Sequence, residues 1–158
     1  MPLDDALRAR IVASVAEGFD GQIAFTQALI RFPSTRGNEA GVQDFVQAAL
    51  EARGYGVERF AMDRAALATH PGAGRWDEAH SHAPIVVATH RPRRETGRSL
   101  ILQSHVDVVP SGPAQMWTHP PFEPVIEGDW LYGRGGADLK VVAAANIFVL
   151  DALRRIGL

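Results

Sequence analysis

The sequence predicts an α/β fold, a three-layer sandwich with a mixed, mostly parallel sheet. Three observations lead there. Apolar residues recur at helical spacing over the first fifty positions. Short runs rich in β-branched residues follow, each bounded by turn-forming residues. The last stretch, 138–156, is apolar almost all round at its centre, as a helix buried against a sheet would be.

Taken in order, Leu7, Ile11 and Val15 give the first helical stripe, and Gly18 and Gly21 are expected to interrupt it. Phe25, Leu29 and Phe32 resume the stripe until Pro33 ends it. A second helix should start at an Asn38 cap and bury Val42, Phe45, Val46, Ala49 and Leu50. Gly54 occupies the position that helix C-termini favour. Val57 to Met62 reads as a strand, with Val57 as its inward start. Asp63 can cap a short helix through Leu67. Residues 69–84 form a long polar loop. Its His80 and His82 read as surface histidines, since no rigidly held carboxylate stands beside them.

Ile85 to Thr89 is β-rich, and Ser99 to Ser104 reads as a second strand able to pair with it across the RPRRETGR turn. A proline-rich loop follows, anchored by Trp117 and Phe122. Val125 to Tyr132 fits a hairpin about Gly128-Asp129. No repeat, low-complexity tract or linker divides the chain, so residues 1–158 read as one unit.

Composition excludes several functions. A net charge of −2 offers no basic field for nucleic acid. Fifteen of the sixteen basic residues are Arg, scattered along the chain, and Lys140 is the only Lys. Without Cys there are neither disulfides nor thiolate metal sites, so any metal must be held by His and carboxylates. The longest apolar run, VVAAANIFVL, is broken by Asn146 and too short to span a bilayer. No signal-peptide pattern opens the chain, and a cytoplasmic protein without membrane partners is expected.

The stretch from Leu100 to Lys140 carries the chemistry. His105 and Asp107 follow a predicted strand, and residues two apart on extended backbone point the same way. A metal-binding imidazole commonly donates its other N–H to a carboxylate, a role open to Asp107. Taken alone, the pair reads equally as a surface histidine beside an acid. Farther on, Gly133, Gly135 and Gly136 permit a tight turn before Asp138 at the start of the last helix, where the macrodipole favours a carboxylate. Asp138 reads as an N-cap, a metal ligand or both. The glycines do not match a nucleotide-binding fingerprint in order or spacing.

Together, LILQSHVDVVP, then Trp117 and Pro-Pro-Phe at 120–122, then LYGRGGADLK resemble the dinuclear zinc amidohydrolases related to acetylornithine deacetylase. Succinyl-diaminopimelate desuccinylase, aminoacylase and carboxypeptidase G belong to that group. The resemblance extends over nearly the whole chain, and the long insert at 63–84 suits the deacetylase and desuccinylase branch. It implies zinc-dependent hydrolysis of the amide bond of an N-acyl amino acid or small peptide, with two Zn ions per complete site and Co as a possible substitute. The alternatives are a metallocarboxypeptidase or dipeptidase of the same family, or a catalytically silent remnant acting as a binding module.

By the same resemblance His105 would be a terminal ligand of one zinc, Asp107 would clamp its imidazole, and Asp138 would bridge both ions. The bond between Asp138 and Leu139 is expected to be cis. Two departures stand out. Val141 and Val142 follow Lys140 where the family usually has glycine. The family's Glu-Glu pair, further acidic ligand and late His have no counterpart up to Leu158, and Glu123 and Glu127 precede the glycine turn. Residues 1–158 are therefore expected to form the N-terminal part of the catalytic domain, without its lid and dimerisation domain. They would hold zinc poorly and be silent or nearly so, with a homodimer expected only for the full-length enzyme.

Overall fold

The computed structural model describes residues 4–74, 84–91 and 97–158. Its order is α1 (Asp5–Ile30), α2 (Ala40–Glu51), β1 (Gly56–Ala61), α3 (Arg64–Ala68), β2 (Pro84–Thr89), β3 (Val125–Glu127), β4 (Trp130–Tyr132) and α4 (Val141–Arg155). The α/β character expected from the sequence holds. The sheets are small. Among the described residues both ladders are antiparallel, β1 with β2 and β3 with β4, and the one parallel pairing is an isolated bridge from Thr35 to Val108.

The first helix corrects the expected break. α1 runs unbroken through Gly18 and Gly21. A glycine inside a helix costs about 1 kcal/mol relative to alanine, and the packing of α4 on α1 explains why it is accepted here. A Cβ on Gly21 would stand 3.1 Å from the Phe148 ring, and one on Gly18 would stand 2.7 Å from the Arg155 guanidinium. The missing side chains let the two helices approach. Arg155 then reaches back to the Ser14 carbonyl at 2.6 Å, and the Ser14 hydroxyl donates to the Ala152 carbonyl at 2.9 Å.

The N-cap of α2 is Glu39 rather than Asn38, and Glu39 makes no side-chain cap bond. The Asn38 amide instead donates to the Thr35 hydroxyl at 3.0 Å, so it serves the turn before the helix. Gly54 adopts φ +76°, the left-handed conformation expected after the helix end. Asp63 caps α3 by accepting from the Ala66 amide.

The predicted strand at 99–104 does not form. β2 pairs with β1, from Gly56–Thr89 to Ala61–Pro84, and among the described residues no segment takes the backbone groups of its other edge. Leu100 and Ile101 are left 78% and 88% exposed. The hairpin about Gly128 forms as expected, with Gly128 at φ +58°. Trp117 and Phe122 are both half-buried, and the Trp117 indole donates to the Ser111 carbonyl at 2.8 Å. His80 and His82 lie outside the described residues, as does most of the turn between β2 and Ser99.

The core forms where α1, α2 and α4 meet. Leu29, Val42, Val106, Ala143 and Ala144 are buried together, with Phe25, Phe32, Phe45 and Val46 packed around them. A second cluster, Leu50, Tyr55 and Ile147, joins α2 and α4 to Val57, Val86 and Ala88 of the β1–β2 ribbon. The final helix therefore packs on α1 and, through Ile147, on the ribbon. Among the described residues no helix is long and apolar enough to cross a membrane.

Candidate metal centre

The segment 105–108 is extended, and its alternation orients the candidate ligands. Val106 and Val108 are 7% and 3% exposed and turn toward the core. His105 and Asp107, on the opposite side of the same backbone, are thereby presented outward. The His105 imidazole lies 3.1 Å, through Nδ1, from Asp107 Oδ1. Its Nε2 lies 3.4 Å from Asp138 Oδ1. The structure thus brings all three residues together, across 31 positions between His105 and Asp107 on one side and Asp138 on the other.

Asp138 is placed by the glycine turn. Gly135, at φ +81°, ends in contact with Val108, and the Lys140 amide donates to the Gly135 carbonyl at 3.0 Å. The Asp138–Leu139 peptide bond is cis, as expected. One detail differs from the sequence reading. Asp138 is extended, at φ −126° and ψ 94°, and α4 begins only at Val141 with Lys140 as its N-cap. Asp138 therefore stands just ahead of the helix instead of in its first turn, and its side chain is 88% exposed.

The donor set can be tested against a divalent cation on geometry. Zinc binds histidine nitrogen and carboxylate oxygen at about 2.0–2.2 Å in a tetrahedral arrangement, which separates two donors on one ion by about 3.4 Å. His105 Nε2 and Asp138 Oδ1 are 3.4 Å apart. Nδ1 faces Asp107, so a proton held there leaves the Nε2 lone pair directed at Asp138. These residues fit one edge of a metal site. No group of three or more His, Asp or Glu side chains able to hold an ion occurs among the described residues.

Lys140 had no role in the sequence reading, and the structure gives it a distinctive one. Its side chain is fully buried, and Nζ donates to the Phe32 carbonyl at 2.7 Å. Burial lowers its pKa from the ordinary 10.5 to about 8. The signal was present in composition, since a solitary Lys among fifteen Arg marks a place where a guanidinium does not serve. Nearby, the Arg134 guanidinium lies 4.9 Å from the centroid of the Trp117 ring. His119 Nε2 lies 3.1 Å from Glu127 Oε1 without a hydrogen bond between them, and Glu123 is exposed.

With this geometry in view, comparison with known proteins is informative. The model of peptidase family M20/M25/M40 matches residues 101–158, which include His105, Asp107 and Asp138. The chain is 36% identical, over 129 residues, to a succinyl-diaminopimelate desuccinylase of Halorhodospira halophila. That alignment takes in 82% of this chain and 29% of the relative, so the chain spans less than a third of the length of the curated protein it matches.

Proposed function

The chain belongs to the peptidase family M20/M25/M40, and from that premise we propose that it carries part of the active site of a zinc-dependent hydrolase acting on the amide bond of N-acyl amino acids. The observation that carries the reading is the His105 imidazole held between two carboxylates, with its Nε2 to Asp138 spacing matching two donors on one cation. The likeness to a desuccinylase supports hydrolysis of an acyl–amide bond in particular.

In this reading His105 and Asp138 would hold zinc, two ions serving the complete site, or cobalt in its place. The group supplies Lewis acidity toward the amide carbonyl and the attacking water. Asp107 keeps the proton on Nδ1 and fixes the ring's orientation, which makes Nε2 the donor. The Asp138 carboxylate, 88% exposed, would be accessible to the metal. Neither Glu127, which lies 3.1 Å from His119, nor Glu123 is assigned as the general base. Residues 1–158 form the N-terminal part of the catalytic domain. In this reading the proton-transferring carboxylate, the remaining ligands and the dimer contacts of a cytoplasmic, homodimeric enzyme are not assigned to residues 1–158, which align with 29% of the relative.

Cobalt titration of the purified chain tests the metal assignment, read by visible absorption and calorimetry. Saturable binding is expected, abolished in His105→Ala and Asp138→Asn and weakened about 10- to 100-fold in Asp107→Asn. Binding indifferent to His105→Ala would refute it. We also propose that this chain alone is catalytically silent or nearly so, since catalytic zinc sites use three protein ligands and no such group occurs among its described residues. Zinc-dependent release of succinate or acetate from N-acyl amino acids by the 158-residue polypeptide would overturn that.

A further inference from the structure

Two contacts from one short turn reach both halves of the site. After α1 the chain passes through Phe32, Pro33, Ser34 and Thr35. The Ser34 hydroxyl donates to the Val106 carbonyl at 2.6 Å, and the Val108 amide donates to the Ser34 carbonyl at 2.8 Å. Val106 is the residue between His105 and Asp107. From the other side, Lys140 Nζ donates to the Phe32 carbonyl at 2.7 Å, two residues past Asp138. Ser34 is 1% exposed and Lys140 is 0% exposed, so water cannot readily replace either contact.

We infer that the turn 32–35 is a clamp that sets the relative placement of the two ligand-bearing segments, with Ser34 and Lys140 as its positioning residues. The inference rests on the metal-site reading for its purpose and on the hydrogen bonds for its existence. Pro33 stands between the two gripping residues, and its ring fixes φ, so the Phe32 carbonyl and the Ser34 hydroxyl do not move independently. The Phe32 carbonyl lies just past the C-terminal end of α1, where backbone carbonyls point out of the helix and favour a cation. That explains an ammonium at Lys140 in place of an apolar side chain. The seam is closed at Gly135, where a Cβ would meet Val108 Cγ1 at 2.5 Å and Lys140 Cδ at 3.2 Å. With no side chain between them, the segment carrying His105 and the turn carrying Asp138 lie directly against each other.

The test uses Ser34→Ala, Lys140→Met and the double variant of the 158-residue chain, with circular dichroism confirming the fold. The first readout, taken without metal, is the nuclear Overhauser contact between the His105 ring and the Asp138 methylene. The second is affinity for Co2+ alone. Each single variant should lose the contact and bind Co2+ about 10- to 100-fold more weakly, as loss of an outer-shell partner does. The double variant should be little worse than the weaker single, because releasing either grip already frees one half from the other. A merely structural role would lower melting midpoints and leave both readouts of the folded chain unchanged, and that result overturns the clamp. A wild-type chain without the contact overturns it as well. Either single variant suffices if the other does not fold. If the wild type binds no Co2+, the metal-site reading fails, while the metal-free contact still decides the clamp.

Discussion

Replacing Gly135 by alanine should damage the fold more than the same change at Gly54, and the structure says by how much. Both glycines are left-handed, at φ +81° and +76°. An L-residue in that conformation loses about 1–2 kcal/mol, a cost common to the two sites. The surroundings differ. A Cβ at Gly54 meets nothing within 4 Å, whereas one at Gly135 meets Val108 Cγ1 at 2.5 Å and Lys140 Cδ at 3.2 Å. Val108 is 3% exposed and β-branched, so it has little freedom to rotate away. Forcing a methyl into such a contact adds about 1–3 kcal/mol. Gly135→Ala should therefore cost about 2–5 kcal/mol and Gly54→Ala about 1–2, against a total stability of about 5–15 kcal/mol for a domain. Urea unfolding followed by circular dichroism measures both, provided the m-values agree. Equal losses at the two positions would show that Val108 or the turn yields freely, and would sink the argument that the turn is pressed against the His105 segment.

Stability should rise with pH above about 8 because of Lys140. Its pKa is near 8 when folded and 10.5 when free, so above pH 8 the unfolded chain binds more protons and the equilibrium shifts toward the folded state. The gain is expected to be about 1–2 kcal/mol by pH 9.5, and Lys140→Met should flatten the slope; urea midpoints that fall over this range would contradict it. Leu29→Ala empties a fully buried position in the main core and should cost about 2–5 kcal/mol by the same assay. Arg53 pairs with Asp151 at 2.8 Å while its guanidinium lies over the rings of Phe25 and Phe148. Arg53→Ala should thus lose about 1–3 kcal/mol, more than Asp151→Ala, because stacking is lost along with charge; equal losses would mean that the rings contribute nothing.

Local chemistry was legible in the chain without its fold. The α2 stripe, the Asp63 cap, the left-handed Gly54 and the Gly128 hairpin each depend on neighbours within a few residues, and each appears where the sequence places it. The nearness of His105 to Asp107 is equally local, being set by the two-residue repeat of an extended backbone. Tertiary structure decided what depends on distant partners. Gly18 and Gly21 lie inside α1 where α4 packs closely on it, and residues 99–104 find no strand neighbour among the described residues; neither outcome is set by neighbours in sequence. Composition marked Lys140 as the single Lys, but what it does was not readable, since its acceptor lies 108 residues away at Phe32. Residue types and spacing singled out His105, Asp107 and Asp138 as candidate ligands. That His105 and Asp138 stand 3.4 Å apart was decided by tertiary packing, because contacts between segments far apart in the chain carry that distance, from the turn after α1 and from Gly135 against Val108.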